Sequence, residues 1–173
     1  MNRLTFIIAL ICSIQTHAQK FIGNNGEISF FSEAPIENIT AVNNKVSAVF
    51  DLTNHDLVFQ LNVEDFIFRK ALMQEHFNEN YLESDIYPKS FFVGKLLDVN
   101  EGRATVQGDL TIHGITNKIK VDGVINQNGK KVNISANFIV KLEDYDIKVP
   151  KIVMYKIAET IDIEVNIELK EIR

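Results

Sequence analysis

The chain has no tryptophan, three prolines and a single cysteine, Cys12, in 173 residues. Each scarcity excludes something. Cys12 lies in an N-terminal segment that reads as a leader, so residues 19–173 carry no thiol. Disulfides, thiolate metal ligands and cysteine nucleophiles are thereby excluded from that stretch, and the core alone must hold it together. There is no Pro-rich linker, internal repeat or low-complexity tract, which leaves one domain with enough bulk for a core. No apolar run is long enough to cross a bilayer as a helix. Basic clusters are missing too. Without Arg3, residues 19–173 hold 17 basic against 23 acidic residues, a net charge of −6. Nucleic-acid binding and attraction to anionic lipid surfaces are disfavoured on charge.

The leader reading rests on three features. Arg3 gives a positive start, Leu4–Ile14 is an apolar run of signal-peptide length, and Thr16-His17-Ala18 offers a small residue before Gln19. The expectation is a signal peptide at 1–18 and an exported protein, periplasmic or secreted. Lipid anchoring through Cys12 is disfavoured by the bulky Ile11 before it.

What the sequence has in abundance is alternation. Ile161, Ile163, Val165, Ile167 and Leu169 alternate with Asp162, Glu164, Asn166, Glu168 and Lys170. Side chains of a strand point to opposite faces in turn, so this stretch has one dry and one wet face. Val46–Leu52 and Leu57–Val63 alternate across a break at Asn54-His55, which reads as a hairpin. Phe91–Val99, Ala104–Ile112, Ile119–Ile125 and Val132–Leu142 continue a meander, turned at Asn100-Glu101-Gly102, His113-Gly114 and Asn128-Gly129. Asn-Gly is the strongest hairpin signal, predicting positive φ at both central positions of that turn. Asn24-Asn25-Gly26 predicts a further turn. Residues 143–157 form a longer connection containing Pro150. The one departure in period lies between Asp65 and Tyr81. There Leu72, Met73, His76, Phe77 and Tyr81 have helical spacing among good helix formers, and Tyr87-Pro88 ends the section.

The pattern predicts a mainly β fold, an antiparallel sheet of eight or nine strands closed on itself or on a second sheet, with one α-helix. A barrel of about eight strands has an interior wide enough for side chains or one slender ligand. Gly108 and Gly123 fall on dry faces, where glycine either leaves space or permits a bend.

Two stretches carry a family resemblance. Phe66-Ile67-Phe68-Arg69-Lys70-Ala71-Leu72-Met73-Gln74-Glu75-His76-Phe77 runs on to Tyr87-Pro88, and Val106-Gln107-Gly108-Asp109-Leu110-Thr111-Ile112-His113-Gly114-Ile115-Thr116 follows. Together they resemble the YceI-like lipid- and polyisoprenoid-binding family, from about Gly26 to the C-terminus. The resemblance implies a lipocalin-like antiparallel β-barrel, capped by the helix, that holds a long apolar chain in its lumen. It also implies a bacterial, exported, non-enzymatic protein. The opening strand departs from the family. It lacks the usual tryptophan, and Gly26-Glu27-Ile28-Ser29-Phe30 keeps only the serine and phenylalanine of the usual pattern.

Candidate ligand-binding residues gather around the helix and the dry faces. Phe66, Phe68, Phe77, Phe91 and Phe92 form an aromatic group where the alternation stops, the place for a cap and mouth; ordinary core is the alternative. Met73 suits a surface that adapts to a flexible chain. Arg69, with Lys70, can hold a polar head group or form a solvated pair. His76 lies on the helix's apolar stripe, where it can touch a head group or simply be hydrogen-bonded. Gly108, Leu110, Ile112, Gly123 and Phe138 complete the candidate lining. No catalytic residue, metal site or cofactor is expected beyond a bound lipid or isoprenoid. His76 and His113 have no partner at metal-ligand spacing, and Asp144-Tyr145-Asp146 lacks the donor count of a calcium loop.

Three functions compete. A binding protein would shield an isoprenoid, isoprenoid quinone or fatty-acyl amide for transport or storage. An enzyme needs a polar constellation in the lumen, which the best-defined dry faces lack. A structural or interaction module with a solid barrel core would show the same alternation. The resemblance favours the first. The expected partner is an apolar small molecule, with no nucleic acid and no integral membrane segment. A homodimer stays open, since an exposed strand edge favours pairing and closure removes edges.

Overall fold

The computed structural model describes residues 19–33, 38–148 and 158–172. The leader expectation, Cys12 and residues 149–157 lie outside them. Eight long strands dominate: β1 (Lys20–Ser32), β2 (Ile39–Asp51), β3 (Asp56–Asn62), β5 (Lys89–Asn100), β6 (Arg103–Ile112), β7 (Ile115–Asn128), β8 (Lys131–Lys141) and β9 (Thr160–Ile172). A two-residue β4 (Ile67–Phe68) adds to β2. All pairings are antiparallel, in the order β1-β9-β8-β7-β6-β5-β3-β2, and β2 pairs back onto β1. The sheet is a closed eight-strand barrel, one of the two closures the alternation allows and the one the family resemblance implies. The charged residues of β9 from Asp162 to Lys170 face out, and Leu169 is fully buried.

The turns follow glycine. Glu101-Gly102 (φ 50° and 84°) and His113-Gly114 (φ 50° and 72°) join β5 to β6 and β6 to β7. Positive φ at both central positions is the requirement of the type I′ hairpin. At the Asn128-Gly129 signal the structure differs from expectation. Asn128 pairs with Lys131, so the central residues are Gly129 and Lys130, and only Gly129 (φ 58°) is positive. Glycine at the first central position is the type II′ arrangement.

Asn24-Asn25-Gly26 is not a turn. It lies inside β1, whose register against β2 shifts on both sides of Gly26. A Cβ on Gly26 would stand 2.6 Å from Ile167 Cδ1, and one on Gly23 would stand 2.9 Å from Leu169 Cδ2. The glycines thus let β9 side chains fill the space beneath β1, and the irregularity bends a 13-residue strand around the barrel.

The helix predicted over 65–81 is shorter. A 3-10 turn (Val63–Asp65) leads into β4, then α1 (Ala71–His76), which ends in a wide π turn (Phe77–Tyr81). Phe66-Ile67-Phe68 has period two. Phe66 is buried, Ile67 is exposed, and Ile67 and Phe68 pair with Val42 and Ala41 of β2. That local alternation prevails over helix propensity. In α1 and its π turn, Met73, Phe77 and Tyr81 are spaced by four residues and half-buried, and Leu82 N–H donates to Phe77 C=O at 2.9 Å.

The core divides along the barrel axis. At one end Phe21, Phe50, Val132 and Leu169 are fully buried and form a solid floor. At the other, the cap segment packs over Leu61, Val63, Val140 and Tyr145. Midway, Gly94 of β5 faces Gly108 of β6 directly. A Cβ on Gly108 would meet the Val93 carbonyl oxygen and lie 2.5 Å from Gly94 Cα and 2.7 Å from Phe92 Cζ, so β5 backbone and the Phe92 ring together fill the space at this glycine.

Two outcomes follow. Gly108→Val should lower stability by about 1–3 kcal/mol through overpacking, read as a fall in urea midpoint; an unchanged midpoint would show the contact to be soft. The second concerns Asp51, which caps the β2–β3 loop. Its carboxylate accepts from Thr53 N–H at 2.9 Å and Asn54 N–H at 3.2 Å, with Lys20 Nζ 3.7 Å away. Burial pushes this carboxyl up, but the Asn54 and Thr53 hydrogen bonds and Lys20 outweigh it and hold it below its ordinary value. A depressed folded pKa stabilises above the unfolded value of about 3.9 and is lost as pH falls through the lower folded value. Asp51→Asn should therefore be less stable than wild type at neutral pH, with the gap closing below about pH 4. A gap independent of pH would contradict this.

Candidate functional site

The lumen is hollow in two places. An upper cavity of about 210 Å³ lies under the cap segment, and a lower one of about 110 Å³ lies above the floor. Ile28, Leu61, Ser90, Leu110 and Phe138 line both and form a waist between them. A third depression, about 540 Å³, is larger but open. It runs over the outer faces of β8, β9, β1 and β2, where Phe31 and Ile139 alternate with Thr40 and Asp162. Its lining is more polar than that of the lumen, with Thr40, Asn137, Asp162 and Glu164 on it.

Four rings from four elements wall the upper cavity: Phe30 of β1, Phe66 after the 3-10 turn, Phe68 of β4 and Phe77 at the end of α1. Phe30 meets Phe66, Phe68 and Phe77 at centroid distances of 5.5, 5.7 and 5.6 Å. Phe77 meets Phe68 at 4.9 Å and Phe66 at 5.5 Å. These are edge-to-face and offset contacts that aromatic rings favour. Below the waist, Ala104, Gly123 and Ala136 stand side by side on β6, β7 and β8. Small side chains on three adjacent strands leave the lower cavity its room.

The structure brings most of the sequence-predicted residues together. Phe66, Phe68, Met73, His76, Phe77 and Ile112 line the upper cavity, Gly123 lines the lower, and Leu110 and Phe138 line both. Phe91 borders the lower cavity but is 40% exposed, whereas Phe92 at 9% turns into the lumen. Gly108 lines neither cavity, because the Phe92 ring covers it. Arg69 is exposed and also lines neither. Sequence reasoning missed Phe30 and Tyr81 as lining residues. Ile28, Phe30 and Ser32 have the period-two spacing that would have found Phe30.

The lining is almost wholly apolar. Among the described residues, Ser90, Ser32 and His76 are the polar side chains of the upper cavity besides the Tyr81 phenol, and no carboxylate, lysine or arginine lines either cavity. Ser32 Oγ accepts from Ala158 N–H at 3.2 Å. His76 Nδ1 lies 2.9 Å from Asn80 Oδ1, one helical turn on. Burial pushes the Tyr81 phenol up, so it stays neutral at ordinary pH. Such a surface can hold a neutral apolar molecule by burial, with one or two hydrogen bonds at the mouth. Among the described residues no group of three or more His, Cys, Asp or Glu side chains could hold a metal ion. Asp144 and Asp146 flank the buried Tyr145 in a 3-10 turn (Leu142–Tyr145) and its end, both exposed.

His113 fixes the rim. Its Nδ1 lies 3.1 Å from Tyr145 C=O, its Nε2 lies 2.8 Å from Glu83 Oε2, and the Tyr87 ring meets it edge-on at 4.6 Å. The contact ties the β6–β7 turn to the cap segment and to the turn after β8. Burial pushes the Tyr145 phenol up, with Asn117 opposing and Asp144 adding to it. Neither Glu83 nor Tyr145 is suggested by the sequence pattern around His113.

The comparisons with known proteins agree with this geometry. The YceI-like domain matches residues 16–169. A UPF0312 protein of Pseudomonas putida is 28% identical over 96 residues, covering 51% of this chain and 48% of the relative. One from Pseudomonas syringae pv. syringae is 28% identical over 98 residues, covering 53% and 49%. The chain spans about half the length of the curated relatives it matches. Three solved structures share the fold. A polyisoprenoid-binding domain from Saccharophagus degradans, implicated in plant cell wall breakdown, has a TM-score of 0.75 at 11% identity, covering 89% of this chain and 99% of that one. BcnA of Burkholderia cenocepacia has 0.72 at 16%, covering 83% and 95%. A YceI protein of Campylobacter jejuni has 0.66 at 21%, covering 80% and 88%. The domain match takes in nearly every described strand, the cap segment and both cavities, and the chain belongs to the YceI-like family.

Proposed function

We propose that the protein is an exported, non-catalytic carrier or store for one neutral, long apolar chain, such as an isoprenoid, an isoprenoid quinone or a fatty-acyl amide. The observation that carries this reading is the lumen. Two cavities share a waist under the cap segment, and among the described residues no carboxylate, lysine or arginine lines them. Together they reach only the lower end of the usual range for small-molecule sites, roughly 300–1,000 Å³, which suits a slender chain with any ring head group left at the mouth. Each methylene moved from water into such a site is worth about 0.8 kcal/mol, so a five-carbon unit contributes at most roughly 3–4 kcal/mol. A few units suffice for micromolar affinity after the costs of association. A charged head group would find no partner inside and would have to stay at the mouth. The polyisoprenoid-binding domain of Saccharophagus degradans shares the fold and supports the ligand class. Export rests on Arg3 and the Leu4–Ile14 run, with a periplasmic or secreted location.

The test is native mass spectrometry of protein purified from its host without detergent, followed by organic extraction. The expected result is a stoichiometric added mass, released by solvent and identified as a neutral long-chain lipid. Phe138→Trp, which narrows the waist, should weaken binding of that lipid by on the order of tenfold or more while the protein stays folded. A bare protein mass, together with no binding of added isoprenoids or fatty amides, would leave the solid-core interaction module as the better account.

A further inference from the structure

Four large apolar side chains stand out from the rest of the described surface. Ile67, Leu72, Ile86 and Ile139 are 62%, 62%, 65% and 64% exposed, whereas the next, Leu97, is 54%. All four lie at the capped end of the barrel. Ile67 sits between Phe66 and Phe68, Leu72 precedes Met73, and Ile139 sits between Phe138 and Val140, all lining residues of the upper cavity. Ile86 precedes Tyr87, whose ring packs on His113 at the rim. Ile67, Leu72 and Ile86 thus lie on the cap segment, each next in sequence to a residue that lines or borders the upper cavity, and Ile139 lies on the outer face of β8 beside it. The wall formed by β1, β2, β3 and β5 is different. Ile22, Val49, Val58 and Val93 stand in one row across β1, β2, β3 and β5, and at 36–50% exposure they shield one another.

We propose that this end of the barrel docks onto the surface of a bilayer of net-neutral lipid, with Ile67, Leu72 and Ile86 inserting among the acyl chains and Ile139 at the edge of the contact. The inference rests on the binding reading above and names the partner from which the chain is taken or to which it is given. The four side chains come from a two-residue strand, a helix, a loop and the end of a long strand, and so form no regular ridge or row. A fluid apolar medium receives separate projecting side chains without a matching shape, whereas a protein partner would need complementary relief. Docked this way, the lumen opens toward hydrocarbon, and an apolar chain leaves or enters without crossing water. The charge selects the lipid. Between Phe66 and Pro88 two cations, Arg69 and Lys70, stand against Glu75, Glu79, Glu83 and Asp85. An acidic excess disfavours an anionic surface.

The experiment is co-sedimentation of the protein, processed and recovered from its host, with sucrose-loaded phosphatidylcholine vesicles. Binding of a fluorescent polyene fatty chain is measured in parallel without vesicles. Wild type and a Leu97→Ser/Val99→Ser control at the floor end should sediment alike. Ile67→Ser/Leu72→Ser/Ile86→Ser should lose vesicle affinity by on the order of tenfold or more while binding the fluorescent chain as wild type does. Wild type failing to sediment, the triple variant sedimenting like wild type, or tighter association with phosphatidylglycerol vesicles would each overturn the proposal. The carrier reading fails separately. If no chain binds, yet vesicle association persists and is lost in the triple variant, the docking surface stands and the lumen's role does not.

Discussion

The structure depends on one closure. The pairing of β2 back onto β1 turns an antiparallel meander into a ring, and a ring has one inside. Every second residue of eight strands is then committed to a single shared space, and the hydrophobic effect acts on all of them together. Closure also leaves only short stretches of edge, among them the first half of β2, where β4 adds at Ala41 and Val42, and the stretch where β7 and β8 part beyond Gly123 and Ala136. The price is curvature, met in β1 by Gly23 and Gly26, against which Ile167 and Leu169 of β9 pack too closely for any side chain.

Whether such an inside is solid or hollow is decided by residue size at a few positions. Toward the floor, Phe21, Phe50, Val132 and Leu169 fill the cross-section. At the level of Gly94 and Gly108, the Phe92 ring takes the room the two glycines leave. Beside the lower cavity, Ala104, Gly123 and Ala136 are not compensated by a large neighbour, and a space remains. At the mouth four phenylalanine rings from different elements pack against one another and wall the upper cavity. His113, bridging Glu83 and the Tyr145 carbonyl, holds the rim of this arrangement.

Alternation made the barrel legible from the sequence, since period two in the strands from Val46 to Leu169 says directly which residues share the inside. The family resemblance added closure and the lumen's role, which periodicity does not contain. What stayed hidden is where a local pattern competes with a tertiary contact. Asn24-Asn25-Gly26 has the composition of a turn, and only the bulk of Ile167 on the neighbouring strand explains why it is an irregular strand instead. Phe66-Ile67-Phe68 sits beside good helix formers, yet its own two-residue period and the free edge offered by Val42 and Ala41 draw it into the sheet. Gly108 and Gly123 look alike on the dry faces. One is covered by Phe92 and the other borders a cavity, a difference set by neighbours on adjacent strands. Glu83 and Tyr145 reach His113 across 30 and 32 residues, a distance over which no spacing rule operates.

The central claim is that a single apolar lumen takes up an apolar chain by burial. The most direct measurement is calorimetric affinity for a series of straight-chain primary alcohols of increasing length. Burial in the lumen predicts that each added methylene tightens binding by a factor of roughly four, until the two cavities are full and the gain stops. Affinity that does not change with chain length, or that rises with no limit as in partitioning to an outer surface, would contradict it.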